Sequence, residues 1–499
     1  MPAEVKKGMR RCLQACCETS KVIRAETIVF VNCGTTCFRW RNQREKSMTR
    51  RQAVAEKKNG LRNKLLAQDR AAHDWYRFVL SFPPHLVRAY LERFEVNPSQ
   101  RVLDPFCGTG TTLVECKKLG IPSVGIEANP MAWYASRVKT DWSPDPDTLV
   151  SHACGIADRV LHQLRAQGIE DEYFKPPNTR KLDGLKSLPE EQAKLLLADS
   201  ISPLPLHKTL VLAEAINTGR DGPFYYHECL ALARAVVQSI SNLHFGPEVG
   251  VGPAKTDTHV VAPWLDLVHV MASDLHSLRP LDGAPCSLHL GDARSVDRLV
   301  EPESIDAVIT SPPYPNEKDY TRTTRLESVL LGLIRDKADL RQLKKGLVRS
   351  NTRGVYVEDE DDQWLAGCPE VHRIAEQIEA RRIELGKTSG FERLYARVTK
   401  LYFGGMARHL RSLTTALRPG AHLAYVVGDQ ASYLRVPIHT GRILADIAEH
   451  LGYEVVGRDL FRTRLATATR EQLREEVLVV QWPGRRVCGS ASLVGAKVQ

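Results

Sequence analysis

Four short segments of this chain carry residue types whose spacing permits chemistry. The first runs Val102-Leu103-Asp104-Pro105-Phe106-Cys107-Gly108-Thr109-Gly110-Thr111-Thr112. An apolar strand ends in a carboxylate, a turn with two glycines follows, and a helix begins. Gly108 and Gly110 let the backbone pass close to a ligand, and the helix aims its unpaired amides at that ligand. A purely structural turn would read the same way, so the segment gains weight only in company. Leu113 stands where a dinucleotide fingerprint has its third glycine, which counts against a dehydrogenase. No Gly-Lys-Ser/Thr follows, which counts against a phosphate loop.

The second segment is Gly125-Ile126-Glu127. A carboxylate ending the next strand can accept hydrogen bonds from both ribose hydroxyls of a nucleoside. The third, Leu288-His289-Leu290-Gly291-Asp292-Ala293, places Asp292 after a third strand, where it can accept from an adenine amino group. The three together outline an adenosyl pocket along one sheet edge. The fourth, Ile309-Thr310-Ser311-Pro312-Pro313-Tyr314, is the most informative. Two prolines stiffen the turn and remove two backbone donors. The Ser311 hydroxyl and nearby carbonyls are left as acceptors, and Tyr314 offers a flat face for stacking. Acceptors beside an aromatic plane suit the exocyclic amino group of a nucleobase.

These segments need a sheet to hold them. Strands are expected at Arg101–Asp104, Ser123–Glu127, Ser287–Leu290, Ile305–Thr310, His422–Val427, Glu454–Leu460 and Glu475–Trp482. Helical spacing separates most of them, at Thr111–Leu119, Leu394–Leu417 and Thr440–Leu451. The expected class is therefore α/β: a Rossmann-like, seven-stranded, mostly parallel sheet whose last strand is antiparallel. Its sheet comes in three pieces, 71–142, 284–334 and 396–484. A largely helical insert at 143–283, a smaller one at 335–395 and a tail at 485–499 complete the chain. Long excursions from sheet loops are where recognition usually resides, so 143–283 is the candidate target-recognition region.

Composition bounds the rest. The 499 residues are 43% hydrophobic and 26% charged, enough to build a core without disulfides or metals. Residues 1–70 hold 17 basic and 6 acidic side chains, while the remainder carries 52 and 53. The net charge of +10 thus describes a basic N-terminal arm, which suits nucleic acid or is simply a solvated tail. Five of the twelve cysteines, Cys12, Cys16, Cys17, Cys33 and Cys37, lie in that arm without the close pairs or histidines of a zinc site, so no metal is expected. Met48 is a candidate natural start, since regular helical text begins there. No apolar run approaches a membrane span and no apolar segment follows the basic N-terminus, so a cytoplasmic location is expected.

The combination of DPFCGTGTT with TSPPY resembles the amino-group DNA methyltransferases, which use S-adenosylmethionine to methylate cytosine-N4 or adenine-N6. Phe82-Pro83 resembles the segment these enzymes place before the glycine loop, and the likeness spans all three sheet pieces. The resemblance implies that Asp104, Pro105, Phe106, Gly108, Gly110 and Thr111 line the methionine side of the cofactor. It implies that Glu127 holds the ribose and Asp292 the adenine. Ser311, Pro312, Pro313 and Tyr314 then hold the target base. The implied chemistry is direct displacement on a base extruded from double-stranded DNA, with a cognate restriction or defence nuclease as a second partner left open. Ser at the start of the fourth motif favours cytosine-N4. Adenine-N6, an RNA base, and a non-catalytic DNA-binding protein are the competing readings.

Overall fold

The computed structural model describes residues 64–76, 81–172, 183–245, 248–316, 318–465 and 472–484. The basic arm through residue 63, with its cysteines and Met48, lies outside them. The seven strands are β1 (Val102–Asp104), β2 (Ser123–Glu127), β5 (Cys286–Leu290), β6 (Ile305–Thr310), β7 (Leu417–Gly428), β8 (Glu454–Leu465) and β9 (Gln472–Gln481). They form one sheet in the order β5-β2-β1-β6-β7-β9-β8. The first five run parallel, and β9 pairs antiparallel with both β7 and β8. The expected α/β class and antiparallel last strand are therefore present.

One detail was not legible: β9 inserts inside the sheet and leaves β8 at the edge. The burial pattern gives the reason. Val477, Leu478, Val479 and Val480 are all buried, as an interior strand requires, whereas Val456 and Leu460 of β8 face solvent.

Both faces of the sheet are covered. On one, helices Pro369–Glu384, Tyr395–Leu413 and Thr440–His450 bury Val371, Ile374, Tyr402, Phe403, Met406 and Ile443 against Leu103, Ile126, Val308 and Leu423. On the other, helix Pro84–Arg93 sets Leu86, Val87 and Tyr90 on Val102, Ala307 and Ile309. A third core joins helix Pro130–Lys139 to the helices of 143–283 through the fully buried Trp75, Trp142 and Trp264. That insert also holds a short antiparallel hairpin, β3 (Leu243–Phe245) paired with β4 (Val249–Val251), which sequence periodicity did not reveal. Three-residue strands are too short to show alternation. Among the described residues, no helix is long and apolar enough to cross a membrane.

The order in which the chain lays down its strands reverses between β1 and β6. Their carboxyl ends thus open onto a crevice at a topological switch point, where ligands bind in open α/β sheets. One close approach ties the covering helix to this crevice. Gly404 lies where helix Tyr395–Leu413 meets Asp361, and a Cβ at that position would overlap the Asp361 carbonyl oxygen. Backbone against backbone leaves no flexible group to yield. Gly404→Ala is expected to lower stability by about 1–3 kcal/mol, as overpacking does. A urea unfolding midpoint equal to that of the unaltered protein would show that the helix can shift without cost.

Candidate active site

Asp104 closes β1 and is fully buried. Its Oδ1 accepts from the Thr310 hydroxyl at 2.6 Å and from the Phe106 amide at 3.2 Å. Its Oδ2 has no partner among the described residues. Burial pushes this carboxyl up to about 6, against the hydrogen bonds that favour its ionised form. From helix Thr111–Lys118, Thr112 donates to the Ile309 carbonyl at 3.1 Å. The glycine turn and the end of β6 are thereby fastened together.

Gly108 and Gly110 have φ of +53° and +83°, a backbone region in which side chains are strained. Gly110 also packs on Ser136, whose Oγ would lie 2.9 Å from a Cβ there. Glu127, at the end of β2, takes the Gly108 amide on Oε2 at 2.8 Å and the Asn129 amide on Oε1 at 2.7 Å. Each oxygen keeps a lone pair for another donor. Burial pushes Glu127 up to about 7.

Of the twelve sequence-predicted residues, all but Asp104 and Gly110 line a single cavity of about 670 Å³. Those two are buried and do not reach the lining. Asp292 lines the cavity but is not free, because Arg294 grips it through Nε and Nη2 at 2.7–3.0 Å. Arg294 is itself buried, also pairs with Asp361, and donates to the Lys345 carbonyl at 2.7 Å. Sequence reading missed Arg294. The only available signal was its position two residues after a strand-end aspartate.

At the end of β6, the Ser311 hydroxyl donates to the Val426 carbonyl at 3.1 Å. Its one hydrogen is used there, so this lining residue has only acceptor capacity left. The Tyr314 hydroxyl donates to Glu475 Oε1 at 2.9 Å, and its ring lies against Gly428, where a Cβ would come within 2.9 Å. Glu475 also pairs with Arg462. Burial, with the Glu475 charge beside it, pushes the Tyr314 phenol well above its ordinary value, so it stays protonated. Glu475 lies on β9, 161 residues away in sequence, and no local signal marks it. Phe82 and the hairpin residues Phe245 and Val249 complete the walls.

The segment Arg349–Arg353 reads in sequence as a nucleic-acid-contacting loop or a surface turn. Arg349 is buried, bound in two-pronged fashion to Asp359 at 2.7 and 2.8 Å. Ser350 and Thr352 are buried as well. Only Arg353 reaches the cavity.

A family model described as DNA methylase, of the N6/N4 methyltransferase type, matches residues 35–136, which include the glycine turn and Glu127. The Type II methyltransferase M.AvaI of Nostoc sp. is 24% identical over 455 residues, 82% of this chain and 86% of that one. The Type II methyltransferase M.BsoBI of Geobacillus stearothermophilus is 25% identical over 429 residues, 78% and 80% of the two chains. These matches support the amino-group methyltransferase family for this chain. A third relative, the Type II methyltransferase M.MjaII of Methanocaldococcus jannaschii, is 39% identical over 67 residues, or 13% of this methyltransferase. A solved structure titled "Crystal structure of TrmN from Thermus thermophilus" matches with a TM-score of 0.25 at 12% identity, over 80% of this chain and 48% of that one, too slight a likeness to carry weight.

Methyltransferases of this family use S-adenosylmethionine, and the residues present fit it. The unpartnered Asp104 Oδ2 and the half-satisfied Glu127 oxygens are acceptors suited to an ammonium group and to ribose hydroxyls. Glu127 gives this fit a pH signature. Its pKa in the folded protein, about 7, lies above the ordinary 4.5. Stability from this group is therefore complete below the ordinary value and is lost as pH rises through 7. Hydroxyl donors favour the ionised carboxylate, so binding should weaken as pH falls. Affinity for S-adenosylhomocysteine is expected to drop from about pH 8 to about pH 6, and Glu127→Gln should bind more weakly with a flatter pH profile. Calorimetric titration across that range checks this, and an unaltered profile in the variant would remove Glu127 from the ribose.

Proposed function

We propose that this chain transfers a methyl group to the exocyclic amino nitrogen of a base in double-stranded DNA, cytosine-N4 in preference to adenine-N6. The observation that carries the reading is the Ser311 hydroxyl. Its hydrogen is held by the Val426 carbonyl, which leaves it acceptor capacity only, and Ser311 lines the cavity that Glu127, Asp292 and Tyr314 also line. When bound, S-adenosylmethionine supplies an electrophilic methyl that the amino nitrogen takes by direct displacement. Ser311 and the neighbouring carbonyls accept from the amino group and orient its lone pair. Tyr314, fixed by Glu475 and Gly428, stacks on the base. The contribution of these residues is positioning and electrostatics, and no cysteine nucleophile is involved. A base in a duplex must first be extruded, at a cost of roughly a few kcal/mol.

The preference for cytosine rests on Ser311 standing where the adenine enzymes it resembles more often carry Asp or Asn. The region 143–283 is the candidate reader of sequence, since its hairpin brings Phe245 and Val249 into the cavity. The Type II names of the relatives suit a modification enzyme partnered by a nuclease.

Treating DNA with the enzyme and methyl donor, then resolving the nucleosides by mass spectrometry, should give N4-methylcytosine. N6-methyladenine as the sole product would overturn the base, and methyl transfer to RNA alone would overturn the substrate class. Ser311→Ala is expected to slow transfer while leaving cofactor binding unaltered. Tyr314→Ala should slow it further, by the ~1–3 kcal/mol that stacking contributes. Single-turnover rates measured beside calorimetry separate the two effects.

A further inference from the structure

Charged side chains around the cavity are mostly neutralised by close partners. Arg462 pairs with Glu475, Arg349 with Asp359 at 2.7 Å, and Lys344 with Asp319 at 3.3 Å. Four cations that line the cavity break this pattern: Lys318, Arg322, Arg353 and Arg464. Among the described residues none of the four has an ion-pair partner. Arg464 donates only to the Asp429 backbone carbonyl, at 2.8 Å. Arg353 lies over the Phe391 ring at 5.9 Å. The Arg322 Nε is buried with no acceptor within reach. Burial and the nearby Arg464 charge push the Lys318 ammonium below its ordinary value, with Glu248 too far away for an ion pair.

Lys318, Arg322 and Arg464 are half-buried and Arg353 is exposed; leaving the half-buried cations unpaired costs free energy unless an anion arrives. The methyl donor is a poor candidate, because its sulfonium and ammonium groups are themselves positive. A nucleotide strand entering the cavity brings phosphodiesters at its mouth. The four residues also come from separate places. Lys318 and Arg322 follow the Ser-Pro-Pro-Tyr turn, Arg353 comes from 335–395, and Arg464 from the end of β8. They can therefore meet the strand on more than one side of a base held at Tyr314.

We propose that Lys318, Arg322, Arg353 and Arg464 clamp the phosphodiester backbone flanking the extruded nucleotide. The proposal rests on the reading of the chain as a DNA base methyltransferase and deepens it by assigning the residues that hold the strand.

The full chain is titrated with two duplex oligonucleotides of mixed sequence, one fully paired and one carrying a single unpaired cytosine, over a range of salt concentrations. For the paired duplex, Arg322→Gln, Arg353→Gln and Arg464→Gln should each reduce the slope of log affinity against log salt by about 0.9, the value for one phosphate contact. Arg464→Lys should keep the slope. The preference for the unpaired-cytosine duplex should shrink in each glutamine variant, which a contact elsewhere on the surface would not cause. Affinity for S-adenosylhomocysteine should stay unaltered, and the thermal midpoint should not fall, because an unpaired charge is removed. Loss of cofactor affinity with an unaltered salt slope would overturn the clamp, because the cations would then hold the cofactor's carboxylate. If the unaltered protein methylates DNA and no variant moves the slope, the clamp alone fails. If the unaltered protein transfers no methyl to DNA, the functional reading fails first and the clamp with it.

Discussion

A buried hydrogen bond between two neighbouring strand ends organises this protein. The Asp104 carboxylate accepts from Thr310 at 2.6 Å, just beyond the last backbone pairing of β1 with β6, Leu103 with Val308. A carboxylate without exposed surface is costly, and the raised pKa of Asp104 records that cost. It is offset only while the Thr310 hydroxyl and the Phe106 amide remain in place. That condition sets the glycine turn beside the Ser-Pro-Pro-Tyr turn, although 206 residues separate the two partners. The connection between them can then be very long. The helices of 143–283 leave and rejoin the sheet between β2 and β5, on the far side of β2 from the Asp104–Thr310 bond. The length of the insert therefore does not disturb the distance between the two turns.

Much of this was legible because interior parallel strands are buried on both faces and read as apolar runs that stop abruptly. Asp104, Glu127 and Thr310 end such runs, and a polar residue at that point must either be paired or meet a ligand. What was hidden belongs to partners supplied by other elements. Asp292 looked like a free acceptor, yet Arg294 holds it and is held in turn by Asp361 from a different part of the chain. Tyr314 looked like an exposed platform, yet Glu475 on β9 anchors its hydroxyl. The placement of β9 inside the sheet creates that anchor. Local spacing carries no record of which distant strand lies alongside, so neither partner could be read in advance. The same holds for Arg349, whose exposed reading fails because Asp359 folds back onto it.

Rigidity at the site follows from these hidden partners. Arg294 joins the strand-end Asp292 to Asp361, and Asp361 is pressed against Gly404 and also pairs with Arg408 at 3.2 Å on the same helix. The Asp292 side of the cavity is thus supported from the helix covering the sheet. The Tyr314 side is supported from β8 and β9 through Arg462 and Glu475, and from the end of β7 through Gly428. The two halves of the cavity rest on opposite regions of the sheet, and the Asp104–Thr310 bond at its centre is their shared reference.

The charge distribution then sorts what enters. Two carboxyls, Glu127 in the lining and the buried Asp104 next to the lining residues Pro105 and Phe106, are kept partly protonated near neutral pH by burial, and a positively charged ligand would ionise them. The lining also includes cations without ion-pair partners among the described residues. A ligand carrying positive charge gains beside the carboxyls, and one carrying negative charge gains beside the cations. A methyl donor and a nucleic-acid strand differ in this respect. On the proposed reading, the base would meet the neutral Ser311, the two prolines and Tyr314 while its phosphates meet the cations. Replacing the neutral Ser311 acceptor by a carboxylate would add a third acid close to the other two, raising the cost of burying charge there. This local crowding is a physical reason for a hydroxyl, rather than an acid, at position 311.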